Sequence, residues 1–92
     1  MPRRLGSKEM DRTVLLRRWE QAESHIAVGE RHIARQRQII AMLEGNGLDA
    51  RHARSSLTLF EEMQVLHIAN RDRLVEALQN AELWEEAQQK FG

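Results

Sequence analysis

The stretch "LEGNGLDA", residues 43–50, decides the fold, because it is the clearest interruption in a sequence otherwise rich in helix-forming residues. Gly45 suits the left-handed residue that ends many helices, and the Asn-Gly pair that follows it is a strong turn signal. Leu48 can fold back as the apolar contact that closes such a helix end. Asp49 offers a side-chain oxygen that can cap the next helix. The stretch therefore predicts a tight turn over residues 45–48 between two helices.

The sequence on both sides of this turn favours helices. It is rich in Ala, Leu, Glu, Gln and Arg, and Pro2 is its only proline. Tyr is absent and β-branched residues are sparse, so strands are not expected. Ser7 or Asp11 can cap the first helix. We predict an all-α chain, with a flexible basic arm over residues 1–7 and a single helical-hairpin domain over residues 8–92, made of helix 1 at about 8–44, the turn, and helix 2 at about 49–90.

Both predicted helices carry the heptad spacing of an antiparallel coiled coil. In helix 1 the stripe runs from Leu15 to Leu43, and in helix 2 a similar stripe runs from Ala53 to Phe91. Folding the chain at the turn places Gly29 opposite His67, and the missing side chain of Gly29 leaves room for the imidazole or for a partner helix. The predicted core and interface residues are Leu15, Trp19, Ile26, Gly29, Ile33, Ile40, Leu43, Leu57, Phe60, Met63, His67, Leu74 and Leu78.

The helices hold more apolar residues than one hairpin can bury. Leu16, Val28 and Ile39 flank the stripe of helix 1, and Leu59 and Leu66 widen the stripe of helix 2. Exposed apolar surface of this extent is typical of an association surface. We therefore predict a homodimer in which two hairpins form a four-helix bundle, with another protein as the alternative partner.

Charge is balanced overall but unevenly distributed. Residues 1–54 contain eleven Lys and Arg against seven Asp and Glu, whereas residues 55–92 contain three against seven. In a hairpin the two halves neutralise each other, which favours antiparallel pairing. The alternative is a nucleic-acid-associated regulator, since clustered cations bind phosphates. Its candidate residues are Arg3, Arg4, Lys8, Arg12, Arg17 and Arg18.

Histidines are the only candidates for site chemistry. His25 and His32 lie two helical turns apart, roughly 10.5 Å, which is too far for both to bind one zinc ion. A site between the helices, with His25 or His32 joining His67, is a further alternative as a metal or small-ligand sensor. No nucleophile with a partner base and no glycine-rich phosphate loop is present. We expect a non-enzymatic interaction or scaffold module without a cofactor.

The chain has no Cys and no apolar run that approaches a membrane span, so we expect a cytoplasmic protein without membrane contact. Residues 15–78, with the pattern "ERHIARQ…L…G…A…L…F…H…RDRL", resemble short uncharacterised proteins of alphaproteobacteria. The resemblance implies a compact helical hairpin and a bacterial setting. It implies no catalytic residues, because that group has no known activity.

Overall fold

The structure is a computed structural model that describes residues 11–91. It contains two helices, α1 over Arg12–Gly45 and α2 over Arg51–Phe91, and no strand occurs between residues 11 and 91. The helices pack against each other along their length and run in opposite directions. The predicted all-α, two-helix hairpin is thereby confirmed. The predicted basic arm, residues 1–7, lies outside the described residues.

Both helices begin at an aspartate cap. The Asp11 carboxylate accepts a hydrogen bond from the backbone N–H of Thr13 at 2.9 Å, and the Asp49 carboxylate accepts one from the N–H of Arg51 at 3.0 Å. Each bond satisfies a backbone donor that the first helical turn leaves free. The guanidinium and the backbone N–H of Arg51 both hold the pKa of Asp49 below its usual value, since each stabilises the carboxylate.

Helix α1 ends in a Schellman motif. The N–H of Leu48 donates to the carbonyl of Leu43 at 2.8 Å, and the N–H of Gly47 donates to the carbonyl of Glu44 at 3.1 Å. The left-handed residue is Gly47, with φ of +69°, so the assignment of that role to Gly45 was wrong. Gly45 remains in the helix because the two hydrogen bonds close two residues later than expected. The side chain of Leu48 is more than half exposed.

The two glycines therefore respond in opposite ways to substitution. We expect Gly47→Ala to destabilise the protein by about 1–2 kcal/mol, because a Cβ is strained in the left-handed region. Gly45→Ala is the matched control: it is helical and has nothing within 4 Å of an added Cβ, so we expect it to be neutral or to stabilise by up to about 1 kcal/mol. Urea unfolding followed by circular dichroism measures both, and equal losses would contradict the assignment.

The seam, the stripe of residues through which the helices face each other, differs from the prediction in α2. In α1 every predicted seam position is buried or half-buried. In α2, Met63 and Asn70 are exposed, whereas Gln64 and Arg71, one residue further on, are buried and half-buried. Of the predicted α2 stripe, Met63, Asn70, Trp84 and Gln88 are exposed, whereas Ser56 and Ala77 are half-buried. The α2 seam consists of Ala53, Leu57, Phe60, Gln64, His67, Arg71, Leu74, Leu78 and Ala81.

Two glutamines set the register of the hairpin. The side-chain amide of Gln64 donates to the carbonyl of Ile26 at 2.9 Å, and that of Gln36 donates to the carbonyl of Ala53 at 3.0 Å. Gly29 consequently lies against Gln64, not against His67 as predicted, a difference of about one helical turn. The register follows from these amides because a buried polar group is costly unless it is hydrogen-bonded.

The hairpin is one helix layer thick, so neither of its broad faces is covered. Its Cα atoms extend over 69 × 26 × 14 Å. The buried apolar residues are few and mostly small, namely Leu15, Ala22, Ile26, Ala50 and Ala53. Neither helix in the described part of the chain is long and apolar enough to cross a membrane.

Candidate functional site

A groove of about 360 Å³ lies between the helices near the middle of the hairpin. The groove forms because Gly29 has no side chain, whereas the residues around it on α1 and α2 carry larger ones. Its lining carries histidines but no Asp, Glu, Lys or Arg. The lining residues are His25, Val28, Gly29, His32, Phe60, Met63, Gln64 and His67.

Gln64 forms the floor of the groove and is only 8 % exposed. Its amide nitrogen donates to the Ile26 carbonyl, and its Oε1 lies 3.4 Å from Nδ1 of His67. A Cβ on residue 29 would overlap Gln64 Oε1 and lie 2.8 Å from its Cδ. Gly29 is therefore the residue that admits the Gln64 amide between the helices, which corrects the expectation that it makes room for His67.

The histidines of the groove fall into two separate positions. The rings of His25 and His67 face each other across the seam with centroids 5.6 Å apart. The ring of His32 lies against Phe60, with centroids 5.7 Å apart, one heptad along the groove. Residues 11–91 contain no cluster of three or more His, Asp or Glu side chains arranged to hold a metal. The structure thus pairs His25, and not His32, with His67.

The two flanks of the seam differ in charge. The groove residues His25, Val28 and His32 on α1 each come one position before a seam residue in the sequence. On α2, Met63 likewise comes one position before the seam residue Gln64. Most acidic and basic residues that pair across the helices come directly after seam residues; Arg12 precedes the first seam residue, and Arg71 is itself in the seam. A helix turns about 100° per residue, so the two sets lie on opposite flanks. The pairs are Arg37–Glu61 at 3.1 Å, Arg54–Glu44, and Arg12–Glu82 at 3.0 Å.

Two of these ion pairs join the basic first half of the chain to the acidic second half. They are Arg37 with Glu61 and Arg12 with Glu82, in agreement with the predicted charge complementarity of the two halves. Arg71, at a seam position, has a carboxylate of Glu23 at 3.2 Å and one of Asp72 at 2.8 Å, and hydrogen bonds to Asp72 and Glu23 raise the pKa of Arg71. The half-buried cation in the seam is thereby neutralised.

The candidate phosphate-binding residues are not assembled into one surface within the described residues. Arg12 is paired with Glu82 and lies 3.9 Å from a carboxylate oxygen of Glu85. Arg17 and Arg18 are exposed on α1. The other three candidates, Arg3, Arg4 and Lys8, lie outside the described residues. The alternative of nucleic-acid binding stays a prediction.

The predicted core and interface residues differ in their burial. Leu15 and Ile26 are buried, and Met63 is exposed beside the groove. The remaining ones are half-buried in the single chain: Trp19, Gly29, Ile33, Ile40, Leu43, Leu57, Phe60, His67, Leu74 and Leu78.

Gln64 is the residue of the site that the sequence prediction missed. The signal was present in the sequence, because Leu57 and Leu78 lie one and two heptads from it and both were predicted in the interface. A stripe drawn through those leucines includes position 64. The predicted stripe through Met63 excludes it, because positions 63 and 64 lie about 100° apart around the helix.

Comparison with protein-family models, with curated proteins and with solved structures finds no match for this chain. The resemblance to short alphaproteobacterial proteins therefore stays a prediction from the residues quoted above.

Proposed function

We propose that this protein is a self-associating helical interaction module without catalytic activity of its own, and that two hairpins pack groove to groove as an antiparallel four-helix bundle. The observation that carries this proposal is the asymmetry of the two flanks: the groove flank is apolar around its histidines, and the other flank carries ion pairs between the helices.

The first support is the small amount of apolar surface that one hairpin buries. Among residues 11–90, five apolar residues are buried, three of them alanines, whereas eleven large apolar side chains are exposed. A chain of this size buries only a small core. Association that buries its exposed Leu and Met side chains therefore adds favourable free energy. Exposed apolar patches on small proteins mark association surfaces.

The second support is the position of these side chains along the groove. Leu59 and Leu66 lie one helical turn to either side of Met63, and these three side chains are 60 %, 68 % and 54 % exposed. On α1, Val28, Ile39 and Met42 are the apolar residues at the corresponding positions, each directly before a seam residue. A second heptad stripe beside the first is what a four-helix bundle requires, because each helix then contacts two neighbours.

A second copy of the chain is the occupant that fits this surface best. The lining of the groove contains no Asp, Glu, Lys or Arg, so the groove itself offers no charged side chain to an acidic or basic partner. A two-fold arrangement brings identical apolar rows together and buries both at once. The bundle then completes the core that a single layer of two helices leaves open.

Sedimentation equilibrium of the untagged protein tests this proposal. We expect a species of twice the 10.7 kDa chain mass at micromolar concentration, with reversible dissociation on dilution. Because the chain has no Cys, Met63→Cys and Val65→Cys each introduce a single thiol. We expect rising protein concentration to protect the thiol at 63 from alkylation and not the thiol at 65. A monomer at all concentrations, or equal protection of both thiols, would contradict the proposal.

A further inference from the structure

We propose that His25 and His67 form a two-imidazole binding site for a divalent first-row transition metal such as Zn²⁺ or Cu²⁺. Both ligands come from one chain, so the site goes beyond the proposed self-association and does not depend on it. The remaining coordination positions are open to water or to a second copy of the chain.

The distance between the rings fits a shared ion. Zinc–nitrogen bonds are about 2.0–2.1 Å long, which puts the ring centres of two imidazoles on one tetrahedral ion about 5 Å apart. The observed separation of the His25 and His67 centroids is 5.6 Å, with the rings tilted by 39°. In the proposed site one nitrogen of each ring binds the same ion.

The hydrogen bonds of Gln64 determine which nitrogen of His67 is available. The Ile26 carbonyl can only accept a hydrogen bond, so the Gln64 atom 2.9 Å from it must be the amide nitrogen. Oε1 of Gln64 therefore lies 3.4 Å from Nδ1 of His67, and because Oε1 can only accept, a hydrogen bond between them requires the proton on Nδ1. In that tautomer Nε2 of His67 carries the lone pair with which neutral imidazole binds metals.

This arrangement is the one that metal-binding histidines use elsewhere. The ring nitrogen that does not bind the metal donates a hydrogen bond to a carbonyl oxygen. This bond fixes the tautomer, orients the ring and raises the basicity of the metal-binding nitrogen. Gln64 is itself held by Ile26 and by the space that Gly29 leaves, so the His67 ring is positioned before any ion arrives. Imidazole nitrogens select zinc, copper and nickel over magnesium and calcium.

The matched control is His32, which lies in the same groove one heptad from His25 but against Phe60. We expect Zn²⁺ titrated into the untagged protein, in competition with a chromophoric chelator, to bind at one ion per chain or one per two chains. His25→Ala and His67→Ala should each weaken binding at least about tenfold, and His32→Ala should leave it unchanged. No saturable binding, or an equal loss in all three variants, would overturn the proposal.

A measurement on the unaltered chain keeps the test valid if a variant fails to fold. Substoichiometric Cu²⁺ broadens the ring proton signals of the histidines that bind it in a nuclear magnetic resonance spectrum. We expect the signals of His25 and His67 to broaden first and those of His32 and His52 to persist. Uniform broadening of all four would show unspecific binding and refute the site. Sedimentation of the same samples separates this result from the self-association.

Discussion

Met63→Glu is expected to convert the protein from a dimer to a monomer. Met63 is more than half exposed in the single chain and lines the groove that we propose to be the dimer interface. In a groove-to-groove dimer the substitution places one carboxylate from each copy in a groove whose lining contains no Lys or Arg. An uncompensated buried charge costs several kcal/mol, so the dissociation constant should rise at least about a hundredfold. Sedimentation equilibrium over a range of concentrations measures this change.

Val65→Glu is the control for this prediction. Val65 is on the same helix two residues away, is exposed to a similar extent at 65 %, and does not line the groove. The two substitutions thus introduce the same charge at equally exposed apolar positions on different flanks of α2. We expect Val65→Glu to leave the dissociation constant within about threefold, since surface substitutions usually have small effects. Equal weakening by both variants would exclude the groove as the interface.

The effect of Gly29→Ala on the free energy of unfolding is expected to be opposite in sign for Gln and for Ala at position 64. In the natural chain the new Cβ overlaps the buried Gln64 amide and should displace it from the Ile26 carbonyl. Loss of that buried hydrogen bond costs about 1–3 kcal/mol, which outweighs the gain of about 1 kcal/mol from replacing a helical glycine by alanine. In a Gln64→Ala background the obstruction is absent, so the same Gly29→Ala change should stabilise by up to about 1 kcal/mol.

Urea unfolding of the four proteins in this double-mutant cycle measures the coupling between the two positions. All four must be compared at one protein concentration, because the stability of a self-associating chain depends on concentration. We expect a coupling free energy of about 1–3 kcal/mol, in the range found for residues in direct contact. If Gly29→Ala has the same effect in both backgrounds, Gly29 is not the residue that admits Gln64.

The sequence was sufficient to predict the helices and the turn. Long stretches without proline, the aspartate at position 49 and the Asn-Gly pair act on neighbouring backbone atoms, so their effects can be read locally. The α1 stripe was also readable, because Leu15, Ile26 and Ile33 recur at heptad spacing with no competing apolar stripe of equal length. The pairing of Arg37 with Glu61 followed from the opposite charges of the two halves.

The α2 seam could not be predicted in the same way, because two neighbouring stripes on α2 are both apolar. Leu57 and Leu78 belong to one stripe, and Leu59 and Leu66 belong to the other. Heptad spacing alone does not say which stripe faces α1. The candidate site depends on this choice, because it decides whether Met63 or Gln64 faces Gly29.

The sequence by itself thus determined that the chain is a helical hairpin and where it turns. These outcomes depend on backbone conformation, capping and periodicity, which act over a few residues. Only the tertiary structure decided which side chains meet. It placed the Gln64 amide in the space of Gly29, against the Ile26 carbonyl, and so brought His67 beside His25. The reason is that a buried amide needs a partner, and which partner it can reach depends on the packing of both helices at once.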